Sequence, residues 1–233
     1  MYDSEESEQC QVMIGRMPRS THPYHHGALR EALIEATEVL LTERGAEGFS
    51  LREVARRAGV SPAAPAHHFG DAAGLLTAVA TLGFEGLTRA LQAGDARGGH
   101  SVRARLREQG LEYVAFALRH PGRFRLMFRG GVLRRDATLD AHGHAAFQVL
   151  EHGVRRAFVL AEDQPTSAAA WTAVIALWSV VHGYAHLAIA GRFDPLLDAQ
   201  GIDGFVARTL GPVLDAVLLG SVPVAPARAR RAT

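Results

Sequence analysis

Residues 49–76 read FSLREVARRAGVSPAAPAHHFGDAAGLL, and their punctuation describes two short helices joined by a tight turn. Ser50-Leu51-Arg52-Glu53 has the form of a capping box: the Ser50 hydroxyl accepts from the Glu53 amide and the Glu53 carboxylate returns to the Ser50 amide. Phe49 before the cap and Val54 after it form a hydrophobic staple. This helix stops at Gly59. Ser61 can cap a second short helix whose first residue is Pro62, and Gly70-Asp71 end that helix and cap the next near Ala72. The spacing suits a helix-turn-helix, whose second helix enters a DNA major groove, but it equally suits a helical hairpin that merely packs. Arg52 and Arg56 lie one turn apart, where they can grip a phosphate backbone.

Upstream, Leu29, Leu33, Ala36, Leu40 and Leu41 recur at spacings of three and four, so an amphipathic helix runs from Ala28 to Arg44 and ends at Gly45. Residues 1–22 show no period and read as a flexible arm. Its Arg16, Arg19 and His22, with His25 and His26 just beyond, can follow phosphates or simply be solvated. Downstream every periodic segment is helical: one to Gly94, one from Ser101 to Arg119, and a short one holding Phe124, Leu126, Met127 and Phe128. Arg134 to Asp140 reads as a polar joint. A helix to Leu160, an apolar one from Ala168 to Ala190, and a last one from Phe205 to Leu219, kinked or split at Gly211-Pro212, complete the set. The fold class is all-α. Residues 221–233 are too rich in Pro, Ala and Arg to pack and read as a disordered tail.

The chain has 233 residues, 48% hydrophobic and 21% charged, enough to bury a core without staples. Its single cysteine, Cys10, excludes an intramolecular disulfide and a four-cysteine zinc site, which fits a reducing cytoplasm. No uninterrupted apolar run is long enough for a spanning helix, and no signal peptide is evident. A formal net charge of +1 does not announce a DNA binder. Neither a Gly-rich phosphate loop nor a nucleophile elbow is present, so an enzyme finds no support, and His142, His144, His152 and Glu151 read as decoration of a helix surface.

The stretch from Leu29 to Leu76 resembles the DNA-binding domain of the tetracycline-repressor (TetR) family of bacterial transcriptional regulators. HPGRFRLMF at 120–128 and WSVVHGYAHLAI at 178–189 resemble the WHG-type ligand-binding domain of one branch of that family. The resemblance implies a helix-turn-helix domain over 23–72 and a ligand-binding and dimerisation domain over 73–220. It implies a homodimer on a palindromic operator, released when a small molecule enters the second domain. Carried over by position, Ser50 meets a phosphate; Ala63, Ala64, Ala66 and His67, following Ser61, face base edges; His68 lies near the backbone and Phe69 in the core. Two positions depart from the pattern: Ala66 stands where the family has a phosphate-contacting Tyr, and Ala72 where it has a Lys. Their loss weakens binding and flattens its salt dependence, and it keeps open a sensor of the same fold with weak or lost DNA binding.

In the second half, Trp171, Trp178, His182 and His186 fall near one face of a helix. His182 and His186 alone supply too few ligands for zinc, so no metal or cofactor is expected. These side chains, with Tyr113, Phe124, Met127 and Phe147, suit a mostly apolar pocket in which a histidine orients the ligand. The stripe Val206, Leu210, Val213, Val217 is either internal core or half of a dimer interface, and the dimer is favoured because a palindrome demands two-fold symmetry.

Overall fold

The computed structural model describes residues 26–223. Residues 1–25, with the arm's Cys10, Arg16, Arg19 and His22 and with His25, and residues 224–233 lie outside the described residues. Of the expected tail, Ser221 closes the last helix and Val222 is buried, its carbonyl accepting from Arg103. Nine α-helices follow in order: α1 (His26–Arg44), α2 (Leu51–Arg57), α3 (Ala64–Phe69), α4 (Ala72–Arg97), α5 (Val102–Arg119), α6 (Pro121–Met127), α7 (Ala137–Ala157), α8 (Ala168–Ile189) and α9 (Gly201–Ser221). A 3-10 turn at Asp194–Leu196 sits between the last two, and no strand occurs among the described residues.

α4 is the member common to both ends of the molecule. It packs on α1, α3 and α6 of the short-helix end and on α5 and α7 of the bundle. At 26 residues it is about 39 Å long, so one rigid rod links the short N-terminal helices to the bundle. One apolar core runs from Leu33, Leu40 and Val54 through Leu75 and Val79 to Tyr113, Phe124 and Leu214. A second, smaller core, holding Leu106, Val154, Val174, Leu177 and Leu218, closes the far end. Where α4 meets α5, Gly94 lets the backbones touch: a Cβ there would stand 2.7 Å from the Glu108 carbonyl oxygen.

Several local expectations change. Ser50 takes the extended N-cap conformation, but its hydroxyl makes no cap bond, so the capping box does not close. The return bond of the box is lost to competition: the Glu53 carboxylate, which should have reached back to the Ser50 amide, is held by Arg56 and Arg57. Ser61 does not cap α3 either, because that helix begins at Ala64 rather than Pro62. Pro65 thus falls at the start of the helix, where its missing N–H costs nothing. Asp71 does cap α4, its carboxylate accepting from the Gly74 amide at 2.8 Å. α9 begins at Gly201 and runs unbroken through Pro212, so the expected split is absent. α7 begins at Ala137, taking up half of the polar joint, because Asp136 caps it by accepting from Thr138 and Leu139. The 22 residues of α8 are long and apolar enough to cross a membrane, although no unbroken apolar run announced it; here α8 packs on α5, α7 and α9.

Candidate functional site

Two features stand out, one at each end of α4. At the first, α2 packs Val54 and Ala55 inward, and the turn after it passes through Gly59 at φ 67°, a left-handed conformation that glycine adopts without a Cβ clash. α3 then anchors itself by Pro65, buried, and Phe69, half-buried against the core. Its other side is open: Ser61, Ala63, Ala66 and His67 are exposed, and Ala64 and His68 are half-buried at the flanks. The helix is displayed rather than sealed.

The charges beside it are unequal. Arg52 is exposed and makes no ion pair among the described residues. Arg56 is also exposed but is engaged by Glu53 in a two-pronged contact, Nε to Oε2 at 2.9 Å and Nη2 to Oε1 at 2.8 Å. Arg57, which the sequence reading passed over, bridges Glu53 at 2.9 Å and Glu43 at 2.6 Å and so ties α2 to α1. The Arg56 and Arg57 guanidiniums together hold the Glu53 carboxyl at about 2. Ser50 is exposed at the start of α2.

At the other end, a cavity of about 320 Å³ opens where the two cores meet. Its walls are Phe84, Leu87 and Leu91 of α4, Gln109 and Tyr113 of α5, Phe128 just after α6, Phe147 and Leu150 of α7, and Trp178 and Val181 of α8. Of the side chains expected to line a pocket, Tyr113, Phe147 and Trp178 are on this wall. Phe124, Met127, Trp171 and His182 are not, and each has a physical reason. Phe124 is fully buried among Tyr113, Phe128, His182 and His186. Met127 fills the space over Gly83, where a Cβ would meet its sulfur at 2.6 Å. Trp171 stacks on the outside of Phe147 and is 39% exposed. His182 stands behind the wall, its Nδ1 paired with the Tyr113 hydroxyl at 2.8 Å and its ring 4.6 Å from that of Phe128.

Burial sets the protonation of this layer. It pushes the Tyr113 phenol well up, against an opposing hydrogen-bond interaction with Trp178, and it lowers the imidazoles of His182 and His186, with repulsion from His186 and Arg125 respectively adding to it. A neutral His182 can accept from Tyr113. Among the described residues no group of three His, Cys, Asp or Glu could hold a metal. His142 pairs with Glu85 at 3.3 Å, while His144 and His152 are exposed on α7.

Phe84, Gln109 and Phe128 were missed from the sequence. Gln109 had a signal: it follows Leu106 by three and precedes Tyr113 by four, a polar residue on an apolar stripe. The stripe on α9 also needs correction. Leu210 is fully buried, with Leu214 and Leu218 continuing its line inward, so it belongs to the chain's own core and cannot meet a partner. Val213 is exposed, and Val206 and Val217 are half-buried.

The segment between α6 and α7 links the two ends. Phe128 is a cavity wall, and Arg129 binds Glu47 in the turn before α2. Further on, Arg134 bridges Asp71 at 2.7 Å, and its amide donates to Thr77 Oγ1 at 2.9 Å. Both acids lie on the short-helix end.

Comparison with known proteins agrees with this layout. Residues 33–79 match the family described as bacterial regulatory proteins, tetR family, and residues 106–211 match the tetracyclin repressor-like C-terminal domain. The latter match does not single out the WHG type. A protein of unknown function from Rhodococcus sp. RHA1 is 32% identical, with a TM-score of 0.68, over 87% of this chain and 100% of its own. The TetR family transcriptional regulator PfmR from Thermus thermophilus is 23% identical over 67% of this chain and 84% of its own, with a TM-score of 0.56. A TetR family transcription regulator from Marinobacter aquaeolei VT8, 18% identical over 85% of this chain and 97% of its own, has a TM-score of 0.61. No curated protein sequence matches the chain. With a displayed third helix at one end, an apolar cavity at the other and both halves matched, the chain belongs to the TetR family of bacterial regulatory proteins and is a ligand-responsive transcriptional regulator.

Proposed function

We propose that this regulator is a repressor that binds a palindromic operator as a homodimer and leaves it when a small molecule occupies the cavity. The observation that carries the reading is the open face of α3, with Ala63, Ala66 and His67 exposed beside the unpaired Arg52. In the bound dimer the two α3 helices would stand roughly 34 to 36 Å apart, one DNA turn. Ser50, Arg52 and Arg56 position the backbone; Ser61, Ala63, Ala64, Ala66 and His67 meet base edges, and His68 lies near a phosphate. The alanines can touch a thymine methyl but donate nothing, so hydrogen bonds to bases fall to His67 on the helix and to Ser61 just before it. Residues 23–72 serve as the DNA-binding domain and 73–220 as the effector and dimerisation domain.

The dimer surface is best placed on α8 and α9. Ile175 and Leu187 are 49% and 46% exposed on one side of α8, with Ser179 and Gly183 between them, and Val213 and Leu219 are exposed on α9. Apolar side chains exposed on neighbouring helices suit an interaction surface. Val206 and Val217 flank it.

Selection from random DNA followed by footprinting tests the reading. A two-fold-symmetric footprint supports it, and no footprint at low salt overturns it. A second reading, a sensor that has lost its operator, is favoured by Ala66, Ala72 and the commitment of Arg56 to Glu53; absence of the footprint is its signature.

A further inference from the structure

What the cavity admits can be read from its wall, and the reading rests on the cavity's being the effector site. None of the side chains that line it is charged. A carboxylate or ammonium entering such a space would surrender its hydration and find no counter-ion, a cost that an uncharged ligand avoids. Behind Gln109 the Asp95 carboxylate is already engaged, accepting from Gln109 at 2.7 Å, from Arg105 at 3.4 Å and from Arg156 at 2.5 Å, and none of these charged side chains lines the cavity.

The polar groups on the wall are few, and they differ in how far they are satisfied. The Tyr113 hydroxyl is paired with His182. Gln109 is only 2% exposed and is half satisfied: Nε2 donates to Asp95, and among the described residues no group donates to the buried Oε1. Its orientation is set by chemistry, since only the amide nitrogen can face the Asp95 carboxylate. Gln109 also shares its helix stripe with Leu106, Gly110 and Tyr113, which line the same cavity. A buried carbonyl oxygen without a donor is costly, and a partner that brings one N–H or O–H relieves the cost.

We infer that the effector is an uncharged, chiefly apolar molecule whose single hydrogen-bond donor meets Gln109 Oε1. Gln109 is then the residue that sets specificity, and the remaining wall supplies affinity by excluding water.

Equilibrium dialysis of the full chain near neutral pH against four matched probes tests this: 2-naphthol, 2-methoxynaphthalene, naphthalene and 2-naphthoate. The expected order places 2-naphthol on the order of tenfold ahead of its methyl ether, the worth of one hydrogen bond, with the anion weakest. Gln109→Leu should bring 2-naphthol down to the level of the ether while leaving naphthalene as it was, a ratio that a loosened fold would not produce. Equal binding of 2-naphthol and the ether by the unaltered chain overturns the donor, without recourse to any variant. Binding of 2-naphthoate at or above 2-naphthol, or of no probe at all, overturns the ligand class. Footprinting of the same preparation separates the two levels: a chain that binds 2-naphthol but marks no DNA overturns the operator reading and leaves the ligand class standing, whereas a chain that marks DNA but prefers the anion overturns the ligand class alone.

Discussion

Arg129 and Glu47 form an ion pair across the molecule, one step along the chain from the cavity wall at Phe128 and within the turn that leads into α2. Arg129 holds the Glu47 carboxyl down at about 2, with a backbone contact of Glu47 assisting. Because both partners are solvent-facing, the pair contributes little to stability. Its value is positional: if ligand entry shifts Phe128, Arg129 is placed to carry that shift to the α1–α2 turn.

Glu47→Gln should therefore leave the thermal midpoint little changed yet reduce the ligand-induced loss of DNA affinity. The double exchange Arg129→Glu with Glu47→Arg should restore the response. Operator titrations with and without ligand read this directly, and an undiminished response in Glu47→Gln rules the connection out.

On the DNA side, Arg52→Ala should weaken every sequence alike and lower the salt slope by about one, as loss of a phosphate contact does. Arg56→Ala should lower it less, because Arg56 must first leave Glu53. His67→Ala should instead broaden sequence preference at one position per half-site. Salt-dependent titrations on selected and scrambled DNA distinguish the three.

Filling the cavity should silence the response without harming the fold. Ala146 lies on the wall and is buried, so Ala146→Met directs its added atoms into the open space. Ligand binding should fall at least tenfold while operator affinity stays at the parent value, as dialysis and gel shift would show.

On α8 and α9, mutation distinguishes the core from the proposed interface. Ile175→Arg or Leu187→Arg should convert a dimer to monomer in sedimentation with little effect on monomer stability, since both side chains are half exposed. Leu210→Ala should do the opposite, costing about 2–5 kcal/mol of stability through an internal cavity. A dimer untouched by either arginine would move the interface elsewhere.

Acid should loosen the layer behind the cavity. Burial lowers His182 and His186 below their ordinary 6.5, so the folded chain takes up protons less readily than the unfolded chain. Stability from this source is full above pH 6.5 and declines as the pH falls from there toward the lowered folded values. The thermal midpoint measured from pH 7.5 to about 5.5 should drop, and His182→Gln should flatten the drop.

The helices were legible because their signals are local. Leu29, Leu33, Leu40 and Leu41 had to fall on one face of α1, and Asp71 had to cap α4, whatever lay beyond them. Caps that depend on a side chain with competing partners were not: Glu53 could serve Ser50 or its two arginines, and charge attraction at close range won. α9 shows the same limit. Val206, Leu210, Val213 and Val217 read as one stripe, but the crossing with α5 and α8 turned Leu210 inward and left Val213 outside.

The amino-acid order alone determined an all-helical chain with two short helices joined by a tight turn near its start, since periodicity and glycine stops act over a few residues. Which aromatic side chains bound the cavity, that Gln109 keeps an unpaired oxygen at its edge, and that Arg129 reaches Glu47 were decided only by packing. Those relations join residues tens of positions apart, and the angle at which one helix crosses another is a property of the whole core rather than of any segment.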